Sequence, residues 1–530
     1  MKILIVGGGT AGWMAASYYS KFVKDCKITV IESSKIPRIG VGESVTPHVA
    51  QFFKDLGFDT HEWMNATGAV YKLANKFGGW KENKNEYEYF SFNYPTDAKF
   101  LYKDINKPLS PLDLPHSSNS LTTDYFLSLY NNKEVDKFDK YFNSQYYYME
   151  KNVAPFIDKE CILNAPFGWT QHINADKTAD FLRDRVAVPN GVRHVDAVVT
   201  EVKVDGDKIK SVVADNGEEF IADLFLDATG FKRLLSSALG WKEVPYKNAV
   251  ADRAWVCQLD YDDPETEMVN YTQSTAKESG WMFKIGVYHR MGCGLVYGSK
   301  FLDDSKALDQ YYEYTKNRRR EPRLIKWNPC RLEKIGDSNL VAIGLSGGFV
   351  EPLEANALFV IINSIRRLYD VIVGYQETQN FDFKKFNEIM IYSIDDIADF
   401  ISVHYTLSSR NDSDMWNEMR ELGKKENHID LVYEKYKHVN NTMQSALQGY
   451  TMFPQYMWAQ WAIHMGVDTS KWYNLNKDDT YELAKLHFLD TEKRHSIISR
   501  STKNNHQWLK ENVFNNLTPA QWENSVLKNQ

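Results

Sequence analysis

Apolar residues open the chain as a continuous run and then change period. Ile3-Leu4-Ile5-Val6 predicts a short strand, Gly7 to Gly12 a turn, and Trp13-Met14-Ala15-Ala16 the start of a helix. Ile28-Thr29-Val30-Ile31 predicts a second strand, closed by Glu32. Short apolar runs bounded by glycine fit parallel strands covered on both faces. Residues 48 to 160 mix short helices with a polar, tyrosine-rich excursion, Glu86 to Tyr94, and a helix start is expected at Asp176. Three strands are expected at His194 to Val204, Lys208 to Ala214 and Glu219 to Leu226, separated by Asp205-Gly206-Asp207 and Asp215-Asn216-Gly217 turns. Residues from about 250 to 302 alternate as an antiparallel sheet does, and Leu340 to Gly344 predicts one more strand. Leu358, Ile361, Ile362, Ile365, Leu368 and Ile372 share one helical face, and from about 376 onward the pattern is mostly helical.

The first elements form a nucleotide clamp: strand, G-x-G-x-x-G turn, helix, strand, acid. Gly7 permits the tight turn, Gly9 lets the backbone approach a pyrophosphate, and Gly12 lets helix pack on strand. Thr10, Ala11 and Trp13 begin a helix whose free N–H groups face the phosphates. Glu32 is placed to accept from a ribose hydroxyl. The expected class is α/β with α+β character. One nucleotide domain, within residues 1–375, is assembled from pieces at about 1–90, 165–235 and 330–375. An inserted antiparallel sheet lies on the substrate side, and a helical subdomain at 376–530 completes the substrate pocket.

Composition narrows the partners. The 530 residues carry a net charge of −7, which argues against a nucleic-acid binder. The basic run from Lys316 to Arg320 reads as a solvated helix end. The five cysteines are scattered singly, with no metal-ligand spacing, so no metal site is expected and a reducing, cytoplasmic setting fits. No apolar stretch is long enough to span a bilayer.

A single dinucleotide fingerprint is present. Asp227-Ala228-Thr229-Gly230, and Gly344-Leu345-Ser346-Gly347-Gly348, each follow a strand. They resemble the second and third FAD contacts of the p-hydroxybenzoate-hydroxylase-like fold. FAD is therefore expected rather than NAD. With no second fingerprint, a separate NAD(P)H-dependent flavin reductase is expected to supply FADH2.

Five further matches, in order, resemble the flavin-dependent halogenases of the tryptophan-halogenase family. They are Gly7 to Ala16 with Trp13 directly after the last glycine; Gly40-Val41-Gly42-Glu43-Ser44; Lys76-Phe77-Gly78-Gly79-Trp80; Gly347-Gly348-Phe349-Val350-Glu351-Pro352-Leu353-Glu354; and Asp399 to Tyr405 followed by Arg410. The resemblance covers most of the chain. It implies an enzyme that uses FADH2, O2 and a halide ion to halogenate an electron-rich, indole-like aromatic through hypohalous acid. It implies Lys76 as the residue that captures the oxidised halogen, and Glu354 as the carboxylate that stabilises the cationic intermediate and takes its proton. Gly42, Glu43, Val198, Asp227, Gly344, Leu345 and Gly348 join the clamp residues as cofactor contacts. Backbone N–H groups at Asn356 and Ala357 would hold the halide. Phe349 and Pro352 would shape the wall between flavin and substrate, with Trp281 and Phe283 also lining the substrate pocket.

The chain departs from the family pattern in two places. Gly280-Trp281-Met282-Phe283-Lys284-Ile285-Gly286 has Phe283 for a tryptophan and Gly286 for a proline, and Ala355-Asn356-Ala357 replaces Ser-Thr-Gly. These changes predict a less strict site that accepts bromide or a larger halide, with several aromatics tolerated. An aromatic monooxygenase of the same fold, or a non-catalytic flavin-binding protein, are the alternatives; halide-independent hydroxylation would mark the first. A homo-oligomer stays open.

Overall fold

The computed structural model describes residues 1–38, 40, 43–91, 139–140, 145–157, 160–161, 169–316, 320–437, 451–453, 455–470, 472 and 503–528. In chain order the elements that carry the site are β1 (Lys2–Val6), α1 (Thr10–Phe22), β2 (Lys27–Glu32), β3 (Ala74–Gly78), β4 (Tyr87–Ser91) and α2 (Tyr146–Glu150). They continue as β5 (Arg193–Asp196), β6 (Leu224–Asp227), β7 (Arg253–Leu259), β8 (Tyr271–Lys277), β9 (Gly280–Val287) and β10 (Arg290–Tyr297). The last are β11 (Arg323–Lys326), β12 (Gly336–Asp337), β13 (Leu340–Ala342), α3 (Asn356–Thr378), α4 (Lys384–Thr406) and α5 (Gln455–His464).

The chain divides into two compact units. The first gathers residues 1–69, 173–253 and 325–398. Its six-stranded sheet runs β5-β2-β1-β6-β13-β12. Every pairing is parallel except the last, β12 on β13. Parallel strands need both faces covered. Accordingly Ile3, Leu4, Ile5 and Val6 are all buried, as are Leu224, Phe225 and Leu226. Helix α1 buries Trp13, Met14, Ala15, Ala16 and Tyr19. Helix α3 buries the expected stripe, Leu358 through Ile372. The expected α/β class, with an inserted antiparallel sheet and C-terminal helices, is what the structure has.

The second unit gathers residues 70–172, 254–324 and 399–530. Its seven-stranded sheet runs β11-β7-β10-β9-β8-β3-β4. Strands β8, β9 and β10 form the antiparallel meander read from the alternation of residues 250–302.

Boundaries differ from the sequence reading in four respects, the first being that the strand read as Glu219 to Leu226 splits into Glu219–Phe220, paired with Lys208–Ala214, and β6 of the parallel sheet. Residues 70–90, read as part of the nucleotide domain, belong to the second unit, because β3 pairs in parallel with β8 in the inserted sheet. The helices beyond Asp399 group with that same sheet instead of standing as a subdomain of their own. The strand read as His194 to Val204 breaks near Ala197. Its first half joins β2 in the parallel sheet, and Val199–Asp205 pairs antiparallel with Lys208–Ala214. The backbone N–H of Ala197 bonds the carbonyl of Glu32 (2.8 Å), which finishes the parallel pairing before the chain turns away.

Candidate active site

In the first unit the clamp has the geometry its glycines require. Gly7 has φ 113°, and a Cβ there would meet the Ala228 carbonyl oxygen at 2.2 Å. A Cβ on Gly12 would lie 1.9 Å from the Gly7 carbonyl oxygen. At Gly9 a Cβ would meet nothing within 4 Å, so this face of the turn is open to a ligand. Gly9 is also the N-cap of α1 and makes no side-chain cap, so the first N–H groups of the helix are left for an anion. Thr10 and Ala11 follow at once in that first turn. Gly344 (φ 62°) packs against this turn: a Cβ on it would touch the Ala11 methyl at 3.0 Å.

Trp13 has a role that its position alone did not reveal. It is fully buried, and its indole N–H donates to Glu32 (3.2 Å). Arg38 pairs with the other oxygen of Glu32 (2.9 Å), and His194 Nε2 lies 3.1 Å from the first. The acid that would receive a ribose is thus held from three sides, by Trp13, Arg38 and His194.

Glu43 supplies the second indication of a bound group. One of its carboxylate oxygens is buried with no partner among the described residues. Burial, with Asp176 adding repulsion, lifts its carboxyl to about 7. The open cradle at Gly9 and this orphaned oxygen both fit a dinucleotide. Gly42 lies outside the described residues. Val198 already uses its N–H and C=O on Asp215 (3.0 and 2.8 Å), which leaves its side chain for any cofactor contact.

Asp227 differs from the expected contact. It is fully buried and its carboxylate is filled by protein donors. One oxygen accepts from Thr229 N–H (3.1 Å), Thr229 Oγ1 (2.7 Å) and Ser346 Oγ (3.2 Å). The other accepts from the N–H groups of Leu235 (3.0 Å) and Ser236 (2.9 Å) and from Ser236 Oγ (3.0 Å). Its visible work is to tie the turn after β6 to the turn after β13. Leu345 and Gly348 lie in that second turn, where a Cβ on Gly348 would crowd Arg331 at 3.0 Å.

The segment from Phe349 to Ala357 is unusual in its backbone. Glu354 (φ 65°) and Ala355 (φ 59°) are consecutive non-glycine residues in the left-handed region. Such strain persists only where surrounding contacts impose it, and it gathers at functional sites. Here the Asn356 side chain donates to the carbonyls of Glu351 (3.0 Å) and Leu353 (2.8 Å) and locks the turn. Its amide is therefore spent on the turn. Any halide contact falls to the backbone N–H groups of Asn356, Ala357 and their neighbours, at a helix start with no side-chain cap. Glu354 is 3% exposed, and Glu351 is fully buried. Phe349 lies between Phe231 (5.6 Å) and Trp327 (5.7 Å), while Pro352 is exposed.

In the second unit Lys76 sits on β3, opposite Tyr89 of β4 and beside Gln273 of β8. Residues two apart on a strand share a face, so Tyr87, Tyr89 and Tyr271 project with Lys76. The Lys76 ammonium lies 3.8 Å from the centroid of Tyr87, 5.2 Å from Tyr89 and 5.3 Å from Tyr271. Glu150, at the end of α2, accepts from the hydroxyls of Tyr87 (3.0 Å) and Tyr89 (2.8 Å). Burial and then the Glu150 hydrogen bond push the Tyr87 hydroxyl up to about 12.

The end of β3 is clamped. Trp80 is buried and donates to the Ser274 carbonyl (2.9 Å). Arg410, itself buried, donates to the Gly79 carbonyl (2.9 Å) and forks onto Asp412 (2.9 and 2.8 Å). Phe77 contacts Trp80, Phe90, His404 and Trp461. The two distant family matches, Lys76 to Trp80 and Asp399 to Arg410, are thus one packed assembly.

Local packing accounts for both departures on β9. A Cβ on Gly286 would meet the Tyr261 hydroxyl at 2.7 Å, and the Gly286 carbonyl lies 3.0 Å from His172 Nδ1. Phe283 fills space that Gly294 leaves: a Cβ on Gly294 would strike its ring at 2.4 Å. Trp281 is buried, with its ring 6.0 Å from Phe283.

Sequence reasoning passed over the tyrosine box, because only strand pairing assembles it. It also missed Glu88, Asp139 and His464, whose ligand-type atoms lie within 4.8 Å of one another. Asp139 accepts from Tyr89 N–H (2.7 Å), Gln460 (3.0 Å) and His464 Nε2 (2.8 Å), and Lys81 pairs with Glu88 (2.7 Å). Burial is the largest influence on the His464 pKa and would lower it, but the carboxylates of Asp139 and Glu88 together outweigh it and the net shift is upward. These partners make the group an ionic tie between β4 and α5.

The fold and the glycine clamp define a dinucleotide-binding enzyme frame. The sequence model of the tryptophan halogenase family matches residues 2–480. The chain is 32% identical over 440 residues to the tryptophan 7-halogenase RebH of Lentzea aerocolonigenes, covering 79% of each. The structure of the tryptophan 6-halogenase SttH from Streptomyces toxytricini superposes with a TM-score of 0.79 at 26% identity, covering 96% of this chain and 99% of that one. A tryptophan halogenase from Shewanella frigidimarina reaches a TM-score of 0.83 at 24% identity, covering 98% of each, and supports the fold alone. The chain belongs to the tryptophan halogenase family and is a flavin-dependent enzyme. No helix among the described residues is long and apolar enough to cross a membrane.

Proposed function

We propose that this enzyme halogenates an electron-rich aromatic of the indole type, using FADH2, O2 and a halide ion. The observation that carries this reading is Lys76. It stands in the family-matching stretch, on a clamped strand, with its ammonium fixed over aromatic rings. Bound reduced FAD would, with O2, supply the oxidising equivalent that turns halide into hypohalous acid. Gly7 to Gly12 and Glu32 would hold its pyrophosphate and ribose, and the segments 227–230 and 344–348 would border its extended length.

Lys76 captures the oxidised halogen, either as a haloamine or through a hydrogen bond, and presents it to the substrate ring. Glu354 stabilises the positive charge that attack creates, and takes the ring proton. The left-handed backbone at Glu354 and Ala355 sets the turn in which Glu354 precedes, by two and three residues, the Asn356 and Ala357 N–H groups proposed to hold the halide. In the first unit Phe349 and Pro352 would shape the wall beside the flavin, and in the second Trp281 and Phe283 would line the substrate pocket. A separate flavin reductase supplies FADH2.

The site accepts bromide at least as well as chloride. The support is Ala355-Asn356-Ala357, which replaces the family's Ser-Thr-Gly and removes the serine and threonine hydroxyls from the turn. The test supplies reduced FAD, O2 and each halide with a panel of indoles and phenols, and reads product mass. Halogenated product with bromide at or above the chloride yield is expected. Hydroxylated product formed without halide would make the enzyme a monooxygenase, and chlorination of free tryptophan alone would refute the broad halide range.

A further inference from the structure

The box around Lys76 has a chemical consequence. Three phenols surround the nitrogen proposed to carry an electrophilic halogen, and phenols are among the most easily halogenated rings. Tyr87 is best placed, with Lys76 Nζ 3.8 Å from its centroid. The nitrogen that would carry the halogen thus lies over the π-system, the face from which an electrophile attacks. Its hydroxyl donates to both oxygens of Glu150 (3.0 and 3.1 Å), so a base is in place to relieve charge as the ring is attacked.

We propose that Tyr87 is a self-halogenation site: with no aromatic substrate bound, the halogen held at Lys76 passes to the ring carbon next to the Tyr87 hydroxyl. The inference rests on the functional reading above. The reaction balances without a further reagent. From a haloamine, the N–X bond breaks, a C–X bond forms, and the displaced ring proton ends on the lysine nitrogen. From hypohalous acid the products are halotyrosine and water. In both cases the ring is oxidised by two electrons and the halogen, formally +1, is reduced. Glu150 shares the hydroxyl proton while the ring is cationic, then returns it.

Burial and Glu150 keep Tyr87 a neutral phenol at working pH, since its pKa is pushed up to about 12. A neutral phenol is a weaker nucleophile than an indole, so a bound indole outcompetes it. Labelling therefore appears when substrate runs out. Tyr89 and Tyr271, whose centroids lie 5.2 and 5.3 Å from Nζ, react less.

The test incubates the full-length protein with FAD, a flavin reductase, NADH, O2 and bromide, with no aromatic substrate. Peptide mass spectrometry then locates bromine by its paired isotopes. A second sample is dosed with reagent hypobromite. The expected result is bromine concentrated at Tyr87, on the order of ten-fold above the other tyrosines, reflecting its enforced proximity. The chain has 31 tyrosines, which supply the internal control. A turned-over indole should suppress the label, and Lys76→Ala should remove the preference for Tyr87. Tyr87→Phe should move the label to Tyr89 and Tyr271.

Brominated indole together with a Tyr87 label no greater than in the hypobromite control overturns the inference and leaves the function standing. The inference also fails if Lys76→Ala labels Tyr87 as the parent does. Bromine on neither indole nor protein overturns both.

Discussion

Replacing Asp227 by Asn separates a structural carboxylate from a cofactor ligand. The side chain keeps its shape and burial, but one oxygen becomes a donor. The better orientation places the new NH2 where Thr229 Oγ1 and Ser346 Oγ can rotate to accept, because the other oxygen faces two backbone N–H groups. The Thr229 N–H is then left facing another donor, at about 1–3 kcal/mol for a buried orphan, and the charge-assisted character of the remaining bonds is lost. The expected loss is about 3 kcal/mol. Asp227→Ala strands three N–H groups, those of Thr229, Leu235 and Ser236, and should cost about twice as much. The assay is urea unfolding followed by fluorescence, with and without saturating FAD. Asp227→Asn should lower the midpoint by the same amount in both conditions. An unchanged midpoint without FAD, joined to a large drop in FAD affinity, would refute this reasoning and make the carboxylate a cofactor ligand.

Three further outcomes follow from the geometry. Gly9→Ala should fold with parental stability yet bind FAD weakly, because its Cβ meets only the proposed cofactor space; Gly12→Ala should lose both, because its Cβ would lie 1.9 Å from a carbonyl oxygen. Equal thermal midpoints for the two variants would contradict this. Burial pushes His172 down to about 3 and His48 down to about 4, so the unfolded chain takes up these protons first, near 6.5. The stability each neutral ring supports is complete above 6.5 and falls as pH drops towards 4, by up to about 1.4 kcal/mol per pH unit for each. His172→Gln should flatten the decline in unfolding midpoint between pH 6.5 and 4, and an unaltered slope would exclude the histidine. Gly294→Ala should destabilise by about 1–3 kcal/mol through its clash with Phe283, and Phe283→Leu in the same chain should restore part of that. Additive losses in chemical unfolding would show that the two do not pack as described.

Much of the first unit is legible in the sequence because its signals are local. The turn from Gly7 to Gly12 declares its own geometry, and the stripe from Leu358 to Ile372 its own buried face. What stays hidden depends on distant pairing. Nothing near Lys76 announces that β3 will pair in parallel with β8, far along the chain at Lys76↔Gln273, so the tyrosine box cannot be read in advance. The same cause misassigns residues 70–90 to the nucleotide domain. Asp227 looks like a ligand because it ends a strand beside glycine. Only folding shows six protein donors converging on it. Phe283 and Gly286 look like relaxed specificity when compared with the family pattern. In place, each answers a neighbour, Gly294 and Tyr261 respectively. Trp13 is the reverse case: conspicuous by position, and explained only when its N–H is found on Glu32.

The central claim is that Lys76 carries oxidised halogen to an aromatic ring. The most direct test compares the parent enzyme with Lys76→Ala, each given FAD, a flavin reductase, NADH, O2, bromide and an indole. Brominated product and flavin oxidation are followed together. The account predicts bromoindole from the parent only when bromide is present, and undiminished flavin oxidation without bromoindole from Lys76→Ala. Bromoindole from Lys76→Ala at the parental rate, or an oxygenated indole from the parent without bromide, would contradict it.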